Sequence, residues 1–390
     1  MPNTIPYNPQ KITVTGKWNL TRSGYRRTEH SNTIALTRYQ AMSVQRTWAP
    51  GKAMQTCGLK PIPHPENDLR LTITSKGAKF SGVARCRSQY CLDCAQYAKE
   101  QRIEKISNGL TGALLRGHES YFLTLTTKRT ANPEEQIKAL QSGWKALQDR
   151  VSYRLKKQGI KLHFVRGLDV TFRPDIHNVY HCHLHIIVVI DGKFEPVYKT
   201  TKKSKRLVYA NVCDMFQKCW VDIQCKKGTV AKWEGQRMER IDEDRGISRY
   251  LCKFDGIANE VASFHTKEGK SDSLGWMQLV GMVHKKDKRA QNIYVRFLNA
   301  VKGKRTISIS RDWYSLNIPC ELSNTENEEP EKIDIPIKLS TFWEIRCVGV
   351  DAFLLAVFNC VMESNVLLLY DLLDSNPERE AIASFVRTFS

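Results

Sequence analysis

Two periods of apolar residues run through this chain, and each marks a kind of element. From Tyr121 to Thr126, aromatic and branched residues alternate in the manner of a strand. Asn132-Pro133-Glu134-Glu135 then reads as a helix start, with a capping residue, proline at the first helical position and acids in the first turn. Ile137, Leu140, Trp144, Leu147, Val151 and Leu155 follow at steps of three or four, one stripe of a helix that ends at Lys156-Lys157 and Gly159. Two strands are expected next, Lys161 to Phe172 and Tyr180 to Ile190. A helix from Asn211 to Gln224, a strand near Val230 to Met238 and a short helix from Asp242 to Phe254 complete the series. The order predicts an α+β fold built on an antiparallel sheet flanked by helices.

Outside that core the pattern weakens. Residues 1–56 form a basic extension, and 57–110 hold a cysteine-rich element leading into a helix from about Ala95 to Leu110. Residues 111–320 are the expected catalytic domain. Residues 321–390 read as an acidic linker, Leu322 to Lys338, and an appendage of two or three helices from Phe342 to Phe389. No charged-then-apolar leader opens the chain, and the longest apolar stretch, Val348 to Tyr370, is interrupted by Asp351, Asn359, Glu363 and Asn365. Neither secretion nor a membrane partner is expected. Twelve cysteines without an export signal suit a reducing cytosol, where clustered thiols bind metal more often than they pair.

Charge changes the picture. Residues 321–390 carry 5 basic and 13 acidic side chains, a net of −8, so the rest of the chain, at 55 against 27, stands at +28. So basic a body points to a polyanion such as nucleic acid. Lys202, Lys203, Lys205 and Arg206 are candidates to follow phosphates, although solvated loops explain such runs equally well. Tyr121, Trp144, Trp220 and Trp276 are of a type that stacks on bases, but core packing is the plainer reading.

The candidate chemistry lies in three groups. His181, His183 and His185 alternate on a strand, so they share one face at about 6.6–6.8 Å spacing and can lean onto one cation; satisfied core histidines are the bland alternative. Asp169 on the neighbouring strand offers a carboxylate. Downstream, Tyr250 and Lys253 are one helical turn apart, where an ammonium would stabilise a phenolate. Upstream, Cys86, Cys91 and Cys94 have spacings that fit tetrahedral zinc, with Cys57 or His64 as the fourth ligand; unliganded buried thiols are the alternative. Six other cysteines, at 213, 219, 225, 320, 347 and 360, show no ligand spacing and read as core thiols.

Phe122-Leu123-Thr124-Leu125-Thr126, then His181-Cys182-His183-Leu184-His185, then Tyr250-Leu251-Cys252-Lys253 resemble, in order and spacing, the three motifs of plasmid rolling-circle replication initiators. These are single-tyrosine members of the HUH endonuclease superfamily, and the likeness runs over roughly residues 57–313. It implies that His183 and His185 hold Mg²⁺ or Mn²⁺, with Asp169 or His181 completing the site, and that Tyr250 is the nucleophile. Lys253 would orient the phosphate, and a structural Zn²⁺ would sit on the cysteines. The implied partners are single-stranded origin DNA, a host helicase and DNA polymerase, and a second copy of the chain, all in a bacterial cytosol.

Two departures stand out: Cys182 where relatives often have proline, and Gly246 where they often have a glutamate four residues before the tyrosine. Asp242, Glu243 and Asp244 are the nearest acids, and on a helix Glu243 shares the face of Tyr250. A relaxase or transposase with the same chemistry is the nearest rival, although relaxases usually place the tyrosine before the histidines. A non-catalytic zinc-bearing nucleic-acid-binding protein is the rival of another class.

Overall fold

The computed structural model describes residues 41–62, 69–74, 77–88, 90–200, 205–241, 273–317, 332–363 and 365–389. Residues 41–48 are helical, and Lys52–Gln55 adds one turn. Strands β1 (Arg70–Thr74) and β2 (Gly77–Ser81) come next. They are followed by α1 (Leu92–Leu115), β3 (Glu119–Thr126), α2 (Pro133–Lys156), β4 (Leu162–Phe172) and β5 (Tyr180–Ile190). A ribbon of β6 (Val197–Thr200) and β7 (Lys205–Tyr209) leads to α3 (Val212–Lys226) and β8 (Arg237–Arg240). Beyond lie α4 (Trp276–His284), α5 (Lys288–Val301), β9 (Ile307–Ile309) and a 3-10 segment, Arg311–Leu316. The chain closes with β10 (Lys332–Pro336), α6 (Leu339–Val348), α7 (Val350–Met362), α8 (Val366–Asp374) and α9 (Arg379–Phe389).

Contacts divide the described residues into two compact units, one of those within 41–47, 52–86 and 332–389, the other of those within 48–51 and 87–317. The larger unit carries an antiparallel sheet in the order β8-β3-β5-β4-β9. Mixed helix and antiparallel sheet is thus the observed fold class. The central strand, β5, pairs with β4 from Phe172↔Tyr180 to Leu162↔Ile190 and with β3 from Thr126↔His183 to Glu119↔Ile190.

Helix α2 begins and ends as its sequence dictates. The Asn132 side chain accepts the Glu134 N–H at 3.1 Å, with Pro133 just inside. At the other end Gly159 takes φ +73°, a left-handed cap that lets Ile160 N–H reach the Leu155 carbonyl at 3.0 Å. Its whole stripe, Ile137 through Leu155, is buried, and each such side chain contributes about 1.5–3 kcal/mol. Trp144 meets Phe164 of β4 edge-on, which places α2 on the sheet face that carries the even-numbered residues of β4 and β5.

The opposite face is covered at one end by α1. Ile106, Leu110 and Ala113 form one core there with Val165, Ile187, Val189, Trp313 and Leu316. Two glycines make this approach close. A Cβ on Gly109 would fall 2.3 Å from Trp313 Nε1, and one on Gly112 would fall 1.8 Å from the Leu316 carbonyl oxygen. The polar end of the same face lies beyond this cover.

The smaller unit has a sheet in the order β10-β1-β2, all antiparallel. Leu71, Ile73, Phe80 and Ile335 bury one face in a core with Phe342, Phe353, Leu369 and Phe385 of the four C-terminal helices. Arg46 forks onto the Asp351 carboxylate at 2.6 and 2.9 Å and gives a third hydrogen bond, 2.8 Å, to the Cys57 carbonyl. No single helix among the described residues is long and apolar enough to cross a membrane.

Several elements differ from expectation. The supposed linker contains β10, because Ile333, Ile335 and Ile337 alternate with Lys332, Asp334 and Pro336, a period-two pattern hidden by its acidic and proline content. Four helices stand where two or three were expected. The strand near Val230 to Met238 is a 3-10 turn, Trp233–Gly235, followed by β8. The short helix from Asp242 to Phe254 lies outside the described residues.

Candidate metal centre

Strand register decides which side chains meet. Asp169 lies across from His183, Thr171 across from His181 and Gly167 across from His185. On the other side of β5, Thr126 faces His183 and Thr124 faces His185. Directly paired residues project to the same face. Asp169, Thr124, Thr126 and the three histidines therefore gather at the polar end of the α1-covered face.

Asp169 is buried, with 5% of its surface exposed. Its Oδ1 accepts the Val170 N–H at 2.7 Å, while Oδ2 lies 3.1 Å from His183 Nε2 and 3.4 Å from His185 Nε2. One ligand atom from each of the three residues falls within 4.8 Å of the others. A carboxylate taken out of water costs several kcal/mol unless its charge is met. Two imidazole nitrogens turned toward the same oxygen make a donor set that fits a divalent cation.

The histidines are themselves held. Thr124 Oγ1 lies 3.2 Å from His185 Nδ1, and the Phe122 ring stacks on the His185 ring at 5.5 Å between centroids. Were Nε2 to hold a cation, the ring proton would lie on Nδ1 and would be donated to the Thr124 hydroxyl oxygen. His181 makes a different contact: its Nε2 is 2.7 Å from Thr126 Oγ1, and it is not one of the three converging residues. Burial, helped by His183 and Arg129, pushes the His181 pKa down to about 4, so the ring is neutral near pH 7. Phe122, Thr124 and Thr126 thus contact the histidines, a role in holding the rings that the first motif did not spell out. Their alternation against the histidine strand was the available signal.

Cys182 points to the other face. Its N–H is accepted by Gln136 Oε1 at 3.0 Å, and burial pushes its thiol pKa well up. The departure at this position therefore sits in the core beneath α2.

A second cluster gathers Cys57, Cys86, Cys91 and Cys94, with sulfurs within 4.8 Å of one another. Cys86 N–H donates to Cys57 Sγ at 3.4 Å, and Arg87 N–H, from a residue at φ +55°, donates to Cys94 Sγ at 3.3 Å. Amide donors aimed at sulfur favour thiolate, and four thiolates can hold a metal ion. His64, the rival fourth ligand, lies outside the described residues. Among the cysteines expected in the core, Cys219 and Cys360 are buried and Cys213 is half-buried, Cys225 and Cys347 are exposed, and Cys320 lies outside the described residues. Each of the two exposed ones falls in the last turn of an otherwise well-packed helix.

Tyr250, Lys253, Glu243, Lys202 and Lys203 lie outside the described residues, while Lys205 and Arg206 open β7. Tyr121, Trp144, Trp220 and Trp276 are all buried, as the core reading had it.

Residues 77–335, well over half the chain and all three strands of the metal centre, match the family described as Replication protein (Rep_1). The chain belongs to this family of replication proteins. No curated protein and no solved structure matches it. Membership in the family is consistent with a plasmid replication initiator.

If this replication protein holds a cation on Asp169, His183 and His185, a His183→Ala/His185→Ala variant should lose saturable Mn²⁺ binding in a calorimetric titration. Thr124→Val, which removes only the support of His185, should weaken binding about tenfold. Unchanged Mn²⁺ affinity in the double variant would place the cation elsewhere.

Proposed function

We propose that this replication protein initiates rolling-circle replication of a plasmid by nicking one strand of its origin. The meeting of Asp169, His183 and His185 on one sheet face is the observation that carries the reading. Those three residues would hold Mg²⁺ or Mn²⁺; when bound, the cation polarises the scissile phosphate and offsets charge in the transition state. Tyr250 supplies the nucleophile, a role supported by its place downstream of the histidine strand and by Lys253 three residues on.

In the step itself, Tyr250 Oη bonds to phosphorus while the bond from phosphorus to the 3′ oxygen breaks. The phenol loses a proton to solvent and the departing oxygen gains one. A 5′-phosphotyrosine and a 3′-hydroxyl result, the latter a primer for a host DNA polymerase behind a host helicase. One phosphate ester replaces another, so the same residues can rejoin ends. Lys253 steadies the phenolate or the phosphate by its charge. Lys202, Lys203, Lys205 and Arg206 follow the backbone of the bound strand, in keeping with the +28 carried by residues 1–320. The reaction belongs to the cytosol of a plasmid-bearing bacterium.

Tyr250→Phe should abolish nicking and the covalent adduct, seen by mass spectrometry after incubation with Mn²⁺ and single-stranded DNA of the replicon, while DNA binding changes little. An adduct that survives the substitution would sink the assignment.

The cysteine cluster, in the same reading, holds one structural Zn²⁺. Elemental analysis should find about one equivalent, lost in a Cys91→Ser/Cys94→Ser variant. A metal-free and stable native protein would refute it.

Termination needs a second cleavage after Tyr250 is consumed, and Gly246 offers no carboxylate. Glu243, with Asp242 and Asp244 beside it, would activate water instead. Replacing all three by amides should leave the first nick intact but let replication overrun into multimeric single strands. Monomeric circles from that variant would point instead to Tyr250 of a second copy.

A further inference from the structure

We infer that Trp233 is a base-stacking residue that fixes the single strand beside the metal centre, a role that rests on the strand-nicking reading above. Tyr121, Trp144, Trp220 and Trp276 are buried and unavailable to a ligand, but Trp233 is 42% exposed. It opens the 3-10 turn Trp233–Gly235, and that turn is tied to the end of β3.

The tie runs through Gln236, a buried amide. Its Oε1 accepts the Thr126 N–H at 2.8 Å, and its Nε2 donates to the Thr126 carbonyl at 3.2 Å and to the Lys232 carbonyl at 2.7 Å. The Gln236 N–H returns to the Trp233 carbonyl at 3.0 Å and closes the turn. Gln217 Nε2 adds a bond to the Gln236 carbonyl at 3.3 Å.

This lock places the turn next to the histidines. β8 pairs with β3 only from Tyr121 to Thr124, and beyond Thr124 the turn takes its place along the strand. A Cβ on Gly235 would sit 3.2 Å from Thr126 Cγ2, so the turn reaches the side chain that lies 2.7 Å from His181. Lys128 and Lys232, both exposed, flank the same stretch; Lys128 N–H bonds the Val230 carbonyl at 2.9 Å.

An exposed indole on a turn tied to β3, with exposed lysines on the same stretch and next to a centre that would receive a phosphate, has the composition of a single-strand platform. Stacking uses the face that every base shares, and the lysines meet the backbone. Trp48 and Trp343 are exposed to the same degree, at 40% and 41%, and what sets Trp233 apart is the tie of its turn to Thr126. The occupant is a nucleobase close to the scissile phosphate. Its partner is therefore unpaired DNA, since a base within a duplex has both faces covered.

The test uses the full chain with Mn²⁺ and a fluorescein-labelled oligothymidylate, read by anisotropy. Trp233→Ala should weaken binding about tenfold, the size of one lost base stack. Trp233→Phe should restore most of the affinity, yet lose the DNA-induced quenching of tryptophan fluorescence that the native protein shows. Stacking is not electrostatic, so the slope of log Kd against log salt should be the same for all three proteins. Native affinity in Trp233→Ala would overturn the assignment. So would a weakened variant whose salt slope or Mn²⁺ affinity had also changed, because the effect would then come from a disturbed turn. A native chain that bound no single strand would bring down the nicking reading first and this one with it.

Discussion

The pairing of β4 with β5 is the constraint on which the rest of the larger unit depends. It puts Asp169 opposite His183 on one face and, on the other, buries Leu168, Val170 and Phe172 with Cys182, Leu184 and Ile186. A slip of one residue in β4 would exchange the faces of that strand. Asp169 would then enter the apolar layer under α2, where a carboxylate without a partner is very costly. The apolar face therefore selects the register, and the polar face inherits a carboxylate and two imidazoles already aligned. Gln136 adds a pin at the histidine end: it accepts the Cys182 N–H and donates to Thr127 Oγ1 and the Lys128 carbonyl, joining α2 to β5 and to the end of β3.

Gln236 does a comparable task from the other direction. Between them the two buried amides satisfy backbone groups of β3, β5 and the following loops that no neighbouring strand reaches. Each unmet buried group costs about 1–3 kcal/mol, so a single glutamine that meets three of them fixes a loop more firmly than its size suggests. This is how a loop-borne residue such as Trp233 can have a definite place beside strand-borne ligands. Precision at a site comes from supports of this kind as much as from the ligands.

The five-stranded sheet was legible because its signals were local and mutually consistent. The stripe from Ile137 to Leu155, the cap at Asn132 and the alternation of β5 each named one element, and their order named the sheet. Asp169 could be paired with the histidines because two adjacent strands of eleven residues leave few registers. Other features depended on partners far away in sequence. β10 is an unremarkable alternation until β1 supplies its edge, some 260 residues earlier in the numbering. Thr124 and Thr126 look like ordinary strand residues until His185 and His181 are set against them. Trp233 had no periodic signal at all, because a turn closed by a side-chain amide leaves no pattern in the apolar positions.

Charge and geometry divide the labour of recognition. The excess of 28 positive charges on residues 1–320 attracts any polyanion, and it does so along the whole body rather than at one point. Selection of a particular phosphate must come from groups acting over a few ångströms. Among the three converging ligands the fixed charge is small: Asp169 is the one carboxylate, and His181 beside them is neutral near pH 7, with the Arg129 guanidinium acting on it from nearby. A divalent cation held there would leave about one net positive charge, concentrated and partly desolvated, where Coulomb attraction is several times stronger than at the exposed lysines. A diffuse field of this kind would bring a nucleic-acid strand to the protein, and a cation on the buried carboxylate would determine where along the sheet a phosphate is held most tightly.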